Sequence, residues 1–299
     1  MSSTVQKLTE AGVINPPNDV KSNTMYETVV GSVAYGVAND ASDYDVNGFF
    51  IPKAENLFPH LRGHLLGFDK EVKCPKCWQN HHITHPTFTK EYDLNIYSIT
   101  QYFRLCLDNN PNMVDTLYTP RECVLHSTNV SEMVRERRDL FLHKRCWPKY
   151  KGYAYQQLTK MRTKQPEPGT KRFDSVQEFG YDVKFAYHLV RLLLEAEMIM
   201  DEHCIDIRRH KEHLKAIRTG QVAMIDIERW AENKERHLEA SFESSTLRAE
   251  PATEEVKQLL IDCLEHHYGS LSALEPAKQS MRSQEMALEK IRDICEKNL

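Results

Sequence analysis

Two aspartates one residue apart, Asp43 and Asp45, follow a Gly31-Ser32 pair after a spacer of ten residues, and this is the stretch best suited to chemistry. The surrounding strings are Val29-Val30-Gly31-Ser32-Val33-Ala34-Tyr35-Gly36 and Ser42-Asp43-Tyr44-Asp45-Val46-Asn47-Gly48-Phe49-Phe50. Residues Asp43 to Phe50 can form a strand. Side chains alternate along a strand, so Asp43 and Asp45 share one face and Tyr44 and Val46 take the other. Two carboxylates that close repel each other unless a cation lies between them, which makes the pair a seat for Mg²⁺. A Gly-Ser turn leaves backbone N–H groups and a hydroxyl free to hold phosphate oxygens. A phosphate cradle beside a two-carboxylate metal seat is what phosphoryl or nucleotidyl transfer requires. The plain alternative is a solvated acidic turn, or a helix cap at Ser42-Asp43.

Gly-Ser, the ten-residue spacer and Asp-x-Asp among hydrophobic residues resemble the signature of the DNA polymerase beta nucleotidyltransferase superfamily. The longer string Gly31-Ser32-x-Ala34-Tyr35-Gly36…Ser42-Asp43-Tyr44-Asp45-x-x-Gly48-x-Phe50 is similar to one branch, the stand-alone predicted nucleotidyltransferases of bacteria and phages. The resemblance implies NMP transfer from an NTP such as ATP, two Mg²⁺ ions, and phosphate binding at Gly31 and Ser32. It also implies a third carboxylate on a later, neighbouring strand. Glu91 and Asp93, in Glu91-Tyr92-Asp93-Leu94-Asn95-Ile96-Tyr97, are the candidates. Asp93 is preferred because it sits centrally among alternating residues, ahead of an Ile-Tyr-Ser…Phe-Arg-Leu run like that of the family. Asp43, Asp45 and Asp93 are then the expected catalytic metal ligands.

A second group of polar residues lies on a helix expected over Phe179 to His203. Lys184, His188, Arg191 and Glu195 fall at offsets of four, three and four, one stripe on an otherwise apolar helix. A stripe on so apolar a helix faces either solvent or a cleft. The string Gly180-Tyr181-Asp182-x-Lys184-x-Ala186-x-His188-Leu189-x-Arg191 is also similar to a recurrent string of the same branch. That resemblance assigns Lys184 and Arg191 to the triphosphate and His188 to nucleotide or acceptor. Tyr153 and Gln156 share a helical face and suit a base or acceptor pocket, with core packing the alternative for Tyr153.

Cys74-Pro75-Lys76-Cys77, followed by His81, His82 and His85, has the opening spacing of a zinc knuckle. A structural Zn²⁺ on Cys74, Cys77, His82 and His85 is the expectation, within an insert at 69–90. His81 paired with His85, a contribution from His60 or His64, and a redox Cys-x-x-Cys stay open.

The elements that must position these residues read as an α+β protein, a small mixed-sheet catalytic domain at 1–122 followed by a mostly helical domain at 123–299. Strands are expected over Tyr26–Val30, Asp43–Ile51 and Tyr92–Tyr97, and a helix from Ser98 to about Asp108. Helical spacing then covers Leu125–His143, Lys149–Lys164, Phe179–His203, Arg208–Arg218, Met224–Glu243 and Thr253–Tyr268, with 164–173 as an exposed loop. The 299 residues, 40% hydrophobic and 27% charged, fit a soluble globular chain without a membrane partner. Eight scattered cysteines fit reducing cytosol better than a disulfide framework. A net charge of −4 argues against broad nucleic-acid binding. A local basic cluster (Lys149, Lys151, Lys160, Arg162, Lys164, Lys171, Arg172) nevertheless favours an RNA 3′ end, tRNA-like, as acceptor. A protein hydroxyl (adenylylation) and a small molecule such as an aminoglycoside are the other acceptor classes, and a silent antitoxin-like module is the non-enzymatic alternative. Arg208 and His213 match a loose ribonuclease spacing that chance supplies in any Arg- and His-rich helix, and no role is drawn from it. Oligomeric state is not legible.

Overall fold

The computed structural model describes residues 2–39, 42–58, 76–84 and 90–269. The chain opens with α1 (Thr4–Glu10) and α2 (Asn18–Asn23). It continues through β1 (Thr24–Val29), α3 (Gly31–Ala34), β2 (Tyr44–Phe50), α4 (Ala54–Leu57), β3 (Cys77–Ile83), β4 (Tyr92–Ser98), α5 (Ile99–Leu107), α6 (Pro111–Tyr118) and β5 (Val124–Ser127). Seven helices follow: α7 (Asn129–Glu136), α8 (Cys146–Thr163), α9 (Lys171–Phe179), α10 (Val183–Glu202), α11 (Lys211–Arg218), α12 (Met224–Ser244) and α13 (Thr253–Tyr268). The strands form one mixed sheet in the order β3-β4-β2-β1-β5, with β2 and β4 parallel and the other pairs antiparallel. The α+β class read from the sequence is the class found.

Central strands are buried on both faces, and their sequences show it. Every residue of β1 is buried, including Glu27, which lies beneath the start of α1. Its carboxylate accepts the backbone N–H groups of Thr4 (2.5 Å) and Val5 (3.0 Å). A helix N-terminus offers unpaired donors and positive partial charge, so the acid is satisfied there without a basic partner. Gly48 faces β1 so closely that a Cβ would lie 1.9 Å from the Tyr26 carbonyl oxygen. Only glycine permits that approach.

Two edge strands were not expected. A zinc insert is expected at 69–90, yet Cys77–Ile83 within it forms β3, antiparallel to β4. Leu125 to His143 was read as one helix. Instead Val124–Ser127 pairs with β1, and Thr128 caps α7 in a reciprocal box with Ser131. The sheet therefore runs past the boundary expected at 122. Gly180, at φ +79°, ends α9, and Asp182 caps α10 by accepting from Lys184 N (2.9 Å) and Phe185 N (3.3 Å). The helix expected from Phe179 thus begins only at Val183. Part of the loop expected at 164–173 is the first turn of α9.

The helical half is built on α10, which is buried along most of its length and packs against α8, α11 and α12. α13 turns back to cover α5 and α7 beside the sheet. Tyr268 Oη donates to the Pro52 carbonyl (2.5 Å) and fastens this last helix to the segment after β2. The two halves share one continuous core. No helix among the described residues is long and apolar enough to cross a membrane, and the described cysteines are all free.

Candidate active site

At the end of β1 the chain turns through Gly31, whose φ of +63° lies in the left-handed region that glycine enters without steric cost. Val30 N–H donates to the Asp45 carbonyl (2.8 Å), tying the turn to the strand that bears the acids. A Cβ at position 31 would sit 2.7 Å from Asp45 Oδ2. Glycine therefore serves both the backbone and the carboxylate beside it. Ser32 is half-buried in the single turn of α3 that follows. Gly31→Ala is expected to cost about 1–2 kcal/mol from its φ alone. It would also push the Asp45 carboxylate aside, so the variant should remain folded in a thermal melt yet lose at least about tenfold in the nucleotidyl transfer that the sequence resemblance leads one to expect.

β2 and β4 run parallel with Asp45 opposite Asp93 and Asn47 opposite Asn95. Paired positions in a parallel ladder present their side chains to one face, so Asp45 and Asp93 stand together as expected. Asp43 is exposed just ahead of β2. Burial, and next the charge of Asp93, lift the Asp45 carboxyl above the ordinary carboxylate range; Asp43 adds to this, while Lys184 and His81 oppose it. The charges acting on Asp45 are thus Asp93 on β4, Asp43 just ahead of β2, Lys184 on α10 and His81 on β3.

β3 covers the far side of Asp93. Asp93 Oδ1 accepts the backbone N–H of His82 (2.7 Å) and lies 3.6 Å from His81 Nδ1. The His82 imidazole contacts the Glu91 carboxylate, which raises its pKa. His82, Glu91 and Asp93 bring three ligand-type atoms together at this edge. Sequence reasoning placed His82 on zinc and missed this contact with the third acid. The run Gln79-Asn80-His81-His82 is polar on both faces, so no alternation announced a strand.

Of the four zinc candidates, only Cys77 and His82 lie among the described residues; Cys74 and His85 lie outside them. Cys77 opens β3, half-buried, its thiol pushed up to about 11 by burial. His82 stands five residues further along the same strand, roughly 15 Å away at ~3.3 Å per residue. Two ligands of one zinc ion each lie only ~2.0–2.3 Å from the metal. The described half of the expected set is thus held apart by the strand, with His82 turned toward the acids.

On α10, Lys184 is exposed on the side that faces Asp45, and His188 lies one turn further along. Burial, and then Arg191, Lys184, Arg218 and Arg172, keep the His188 imidazole well below its ordinary pKa, hence neutral. His188 borders a cavity of about 270 Å³ between α6, α8, α9 and α10, which Tyr153 and Gln156 also line.

Arg191 has a different environment from the one expected. It is 6% exposed. Its Nη1 lies 3.2 Å from Asp115 Oδ2, Nη2 donates to Asn112 Oδ1 (3.2 Å), and Nε is 3.5 Å from Glu195 Oε1. The guanidinium also stacks over the Tyr35 ring at 5.1 Å. Tyr35 Oη donates to Asp115 Oδ2 (2.7 Å) and touches Glu195 Oε1. Tyr35 belongs to the Gly31-Ser32 string, so this buried group joins the Gly31 turn to α10. Arg208 adds a second tie, donating from Nε to the Ala34 carbonyl (2.9 Å), while His213 packs edge-on against Trp230. Within the basic cluster, Lys151 pairs with Glu235 and Glu239, and Arg162 pairs with Glu228.

Over 144 residues the chain is 29% identical to an uncharacterized 38.9 kDa protein of the nrdC-mobD intergenic region of Enterobacteria phage T4. That match covers 47% of this chain and 39% of the phage protein, well under half of the relative's length. A nucleotidyltransferase-like protein from Exiguobacterium sibiricum aligns over 81% of this chain and 74% of its own, at 10% identity and a TM-score of 0.29. At that score the two folds are not taken as equivalent. Residues 6–267 match the family RlaP, the RNA repair pathway DNA polymerase beta family. By that match, which spans the sheet, the acids and the helical half together, the chain belongs to the RlaP family, a DNA polymerase beta family.

Proposed function

We propose that the protein transfers an NMP from an NTP to the 3′ hydroxyl of an RNA and releases pyrophosphate. The observation that carries this reading is the register of Asp45 beside Asp93, with Asp43 two residues away and Gly31 packed against the Asp45 carboxylate. Three neighbouring acids, with burial and the Asp93 and Asp43 charges raising the Asp45 carboxyl, offer oxygen donors only and fit hard divalent cations such as Mg²⁺. When bound on Asp43, Asp45 and Asp93, two such ions would neutralise charge on the phosphates and acidify the attacking hydroxyl.

The remaining work falls to groups of the chain. Backbone N–H groups of the Gly31 turn and the Ser32 hydroxyl hold the β- and γ-phosphates. Lys184, close enough to Asp45 to act on its charge, supplies a cation to the polyphosphate. Asp93, oriented by the His82 N–H, receives the proton of the acceptor hydroxyl. The hydroxyl oxygen then bonds to the α-phosphorus as the bond from that phosphorus to the bridging oxygen breaks, and pyrophosphate leaves. Arg191 is a positioning residue in this scheme, because its donors are committed to Asp115 and Asn112.

An RNA acceptor is supported by the family's description, which names an RNA repair pathway. The test is incubation with each α-labelled NTP and Mg²⁺, with cellular RNA in one arm and cellular protein in the other. Label is expected at RNA 3′ ends, with stoichiometric pyrophosphate. Label on protein alone would replace the RNA reading by adenylylation. Absence of label in both arms, together with no NTP binding in calorimetry, would overturn the assignment as a working transferase.

A further inference from the structure

The cavity on α10 has a lining of one electrostatic kind. Its walls are Tyr153, Phe185 and Leu192 on the apolar side, and the side-chain amides of Asn112, Gln156 and Gln157 on the other. Lys160 and Arg172 also line it, and no carboxylate does. Among the described residues, the Gln156 and Gln157 amides make no hydrogen bond and Lys160 has no acidic partner. Asn112 uses its carbonyl on Arg191 and keeps its NH₂ group for another acceptor. His188, held neutral by burial and then by the cations around it, contributes one ring donor and one ring acceptor.

Neutral donor–acceptor groups between aromatic and aliphatic walls are suited to the edge and faces of a heterocyclic base. Lys160, which has no acidic partner among the described residues, is suited to a phosphate, and Arg172, whose Nη1 lies 3.3 Å from Asp182 Oδ2, keeps its remaining N–H donors for the same group. A polycationic ligand is disfavoured, since every charged group in the lining is positive, and an aminoglycoside acceptor is disfavoured with it. The cavity is also placed for the reaction. His188 lies four residues from Lys184, about one helical turn, ~5.4 Å, along α10, and Lys184 acts on the charge of Asp45.

We infer that this cavity is a base-reading nucleotide site, with the carboxamides of Gln156 and Gln157 and the imidazole of His188 on the base edge and Lys160 and Arg172 on its phosphate. The inference rests on the nucleotidyl-transfer reading and adds to it a location and a chemistry for base choice. Either the incoming NTP or the 3′-terminal nucleotide of an RNA presents this chemistry.

The test uses binding rather than turnover, so it stands apart from any failure of the transferase assay. The full chain, the double variant Gln156→Ala/Gln157→Ala and the single variant Lys160→Glu are titrated with each of the four NTPs. Parallel titrations use inorganic tripolyphosphate and short single-stranded RNAs that differ only in the 3′-terminal base. Gln156 and Lys160 are exposed and Gln157 half-exposed, so unchanged melting temperatures are expected and checked first. Expected for the native chain is a preference among bases. The double variant should lose that preference, with about a tenfold weaker Kd for the favoured nucleotide and unchanged tripolyphosphate binding. Lys160→Glu should weaken the same ligand irrespective of base. Loss confined to NTPs assigns the cavity to the incoming nucleotide, and loss confined to the RNAs assigns it to the acceptor end. Identical binding of every probe by all three proteins overturns the inference.

Discussion

Asp45→Asn is expected to lower NMP transfer by about three orders of magnitude, ~4 kcal/mol in the barrier, and at the same time to raise the melting temperature in metal-free buffer. Both effects come from one feature. Asp45 is partly buried beside Asp93 and Asp43, so without a cation its charge is opposed by two others and by lost hydration. The isosteric amide removes that opposition, worth about 1 kcal/mol or roughly 2–4 °C in a chain of this size. It also removes the ligand on which the proposed chemistry depends. Added Mg²⁺ should then stabilise the native chain by mass action and leave the variant unmoved. The measurement is a melting curve with and without Mg²⁺, beside the labelled-NTP assay. A variant that lost stability and activity together would show Asp45 to be a packing residue, and the metal-seat reading would fall.

Arg191 and Glu195 should separate in the opposite way. Tyr35 has one hydroxyl proton and faces two buried carboxyls, Asp115 and Glu195, with a single guanidinium between them. Two negative charges against one positive charge leave a buried excess, which a proton on Glu195 removes. That proton can be donated to the Tyr35 oxygen while Tyr35 donates to Asp115. Burial, and next the Asp115 charge, push Glu195 up to about 8 from an ordinary 4.5. A carboxyl with a raised folded pKa takes up a proton on folding. Its stabilisation is complete below about pH 4.5 and is lost as pH rises through about 8. Glu195→Gln should therefore be nearly silent at neutral pH, and should flatten the decline in stability on the alkaline side. Arg191→Met strands Asp115 without its cation and should cost about 3–5 kcal/mol. Urea unfolding of the three proteins across the pH range checks both. A large loss for Glu195→Gln at pH 7 would show that Glu195 is ionised in the native chain.

The sequence carried the centre of the fold more clearly than its edges. β1, β2 and β4 were readable because their apolar runs and alternation are dictated by burial within each strand. β3 and β5 were not, since an edge strand is fixed by its neighbour: Val124–Ser127 is extended because β1 offers a free side, and a helical pattern continued across it. α13 was read to its first and last residue, whereas α10 was begun too early. There the strong apolar period hid two local signals, a glycine at positive φ and an aspartate cap. In the candidate site, the pairing of Asp45 with Asp93 was legible because strand period and motif agree. Arg191 was not, because its partner Asp115 lies 76 positions earlier in the chain and nothing local reveals that pairing. The stripe of Lys184, His188 and Arg191 is real as a helical face, but burial divides it into an exposed cation, a neutral ring and an internal ion pair.

The return of α13 to the sheet bears on how the chain is made. The Gly31 turn leaves the ribosome early, but the groups that fasten it come much later: Glu195 on α10 through Tyr35, and Arg208 through the Ala34 carbonyl. The cover over α5 and α7 comes later still, with residues 253–268. Contacts of such long sequence separation form slowly and late. During synthesis the Gly31 turn is therefore fastened only once α10 and Arg208 have emerged, and the acid-bearing sheet waits with one side of its core open until the last described helix follows. Nascent-chain proteolysis should find residues 24–50 protected only in chains long enough to expose α13 beyond the exit tunnel.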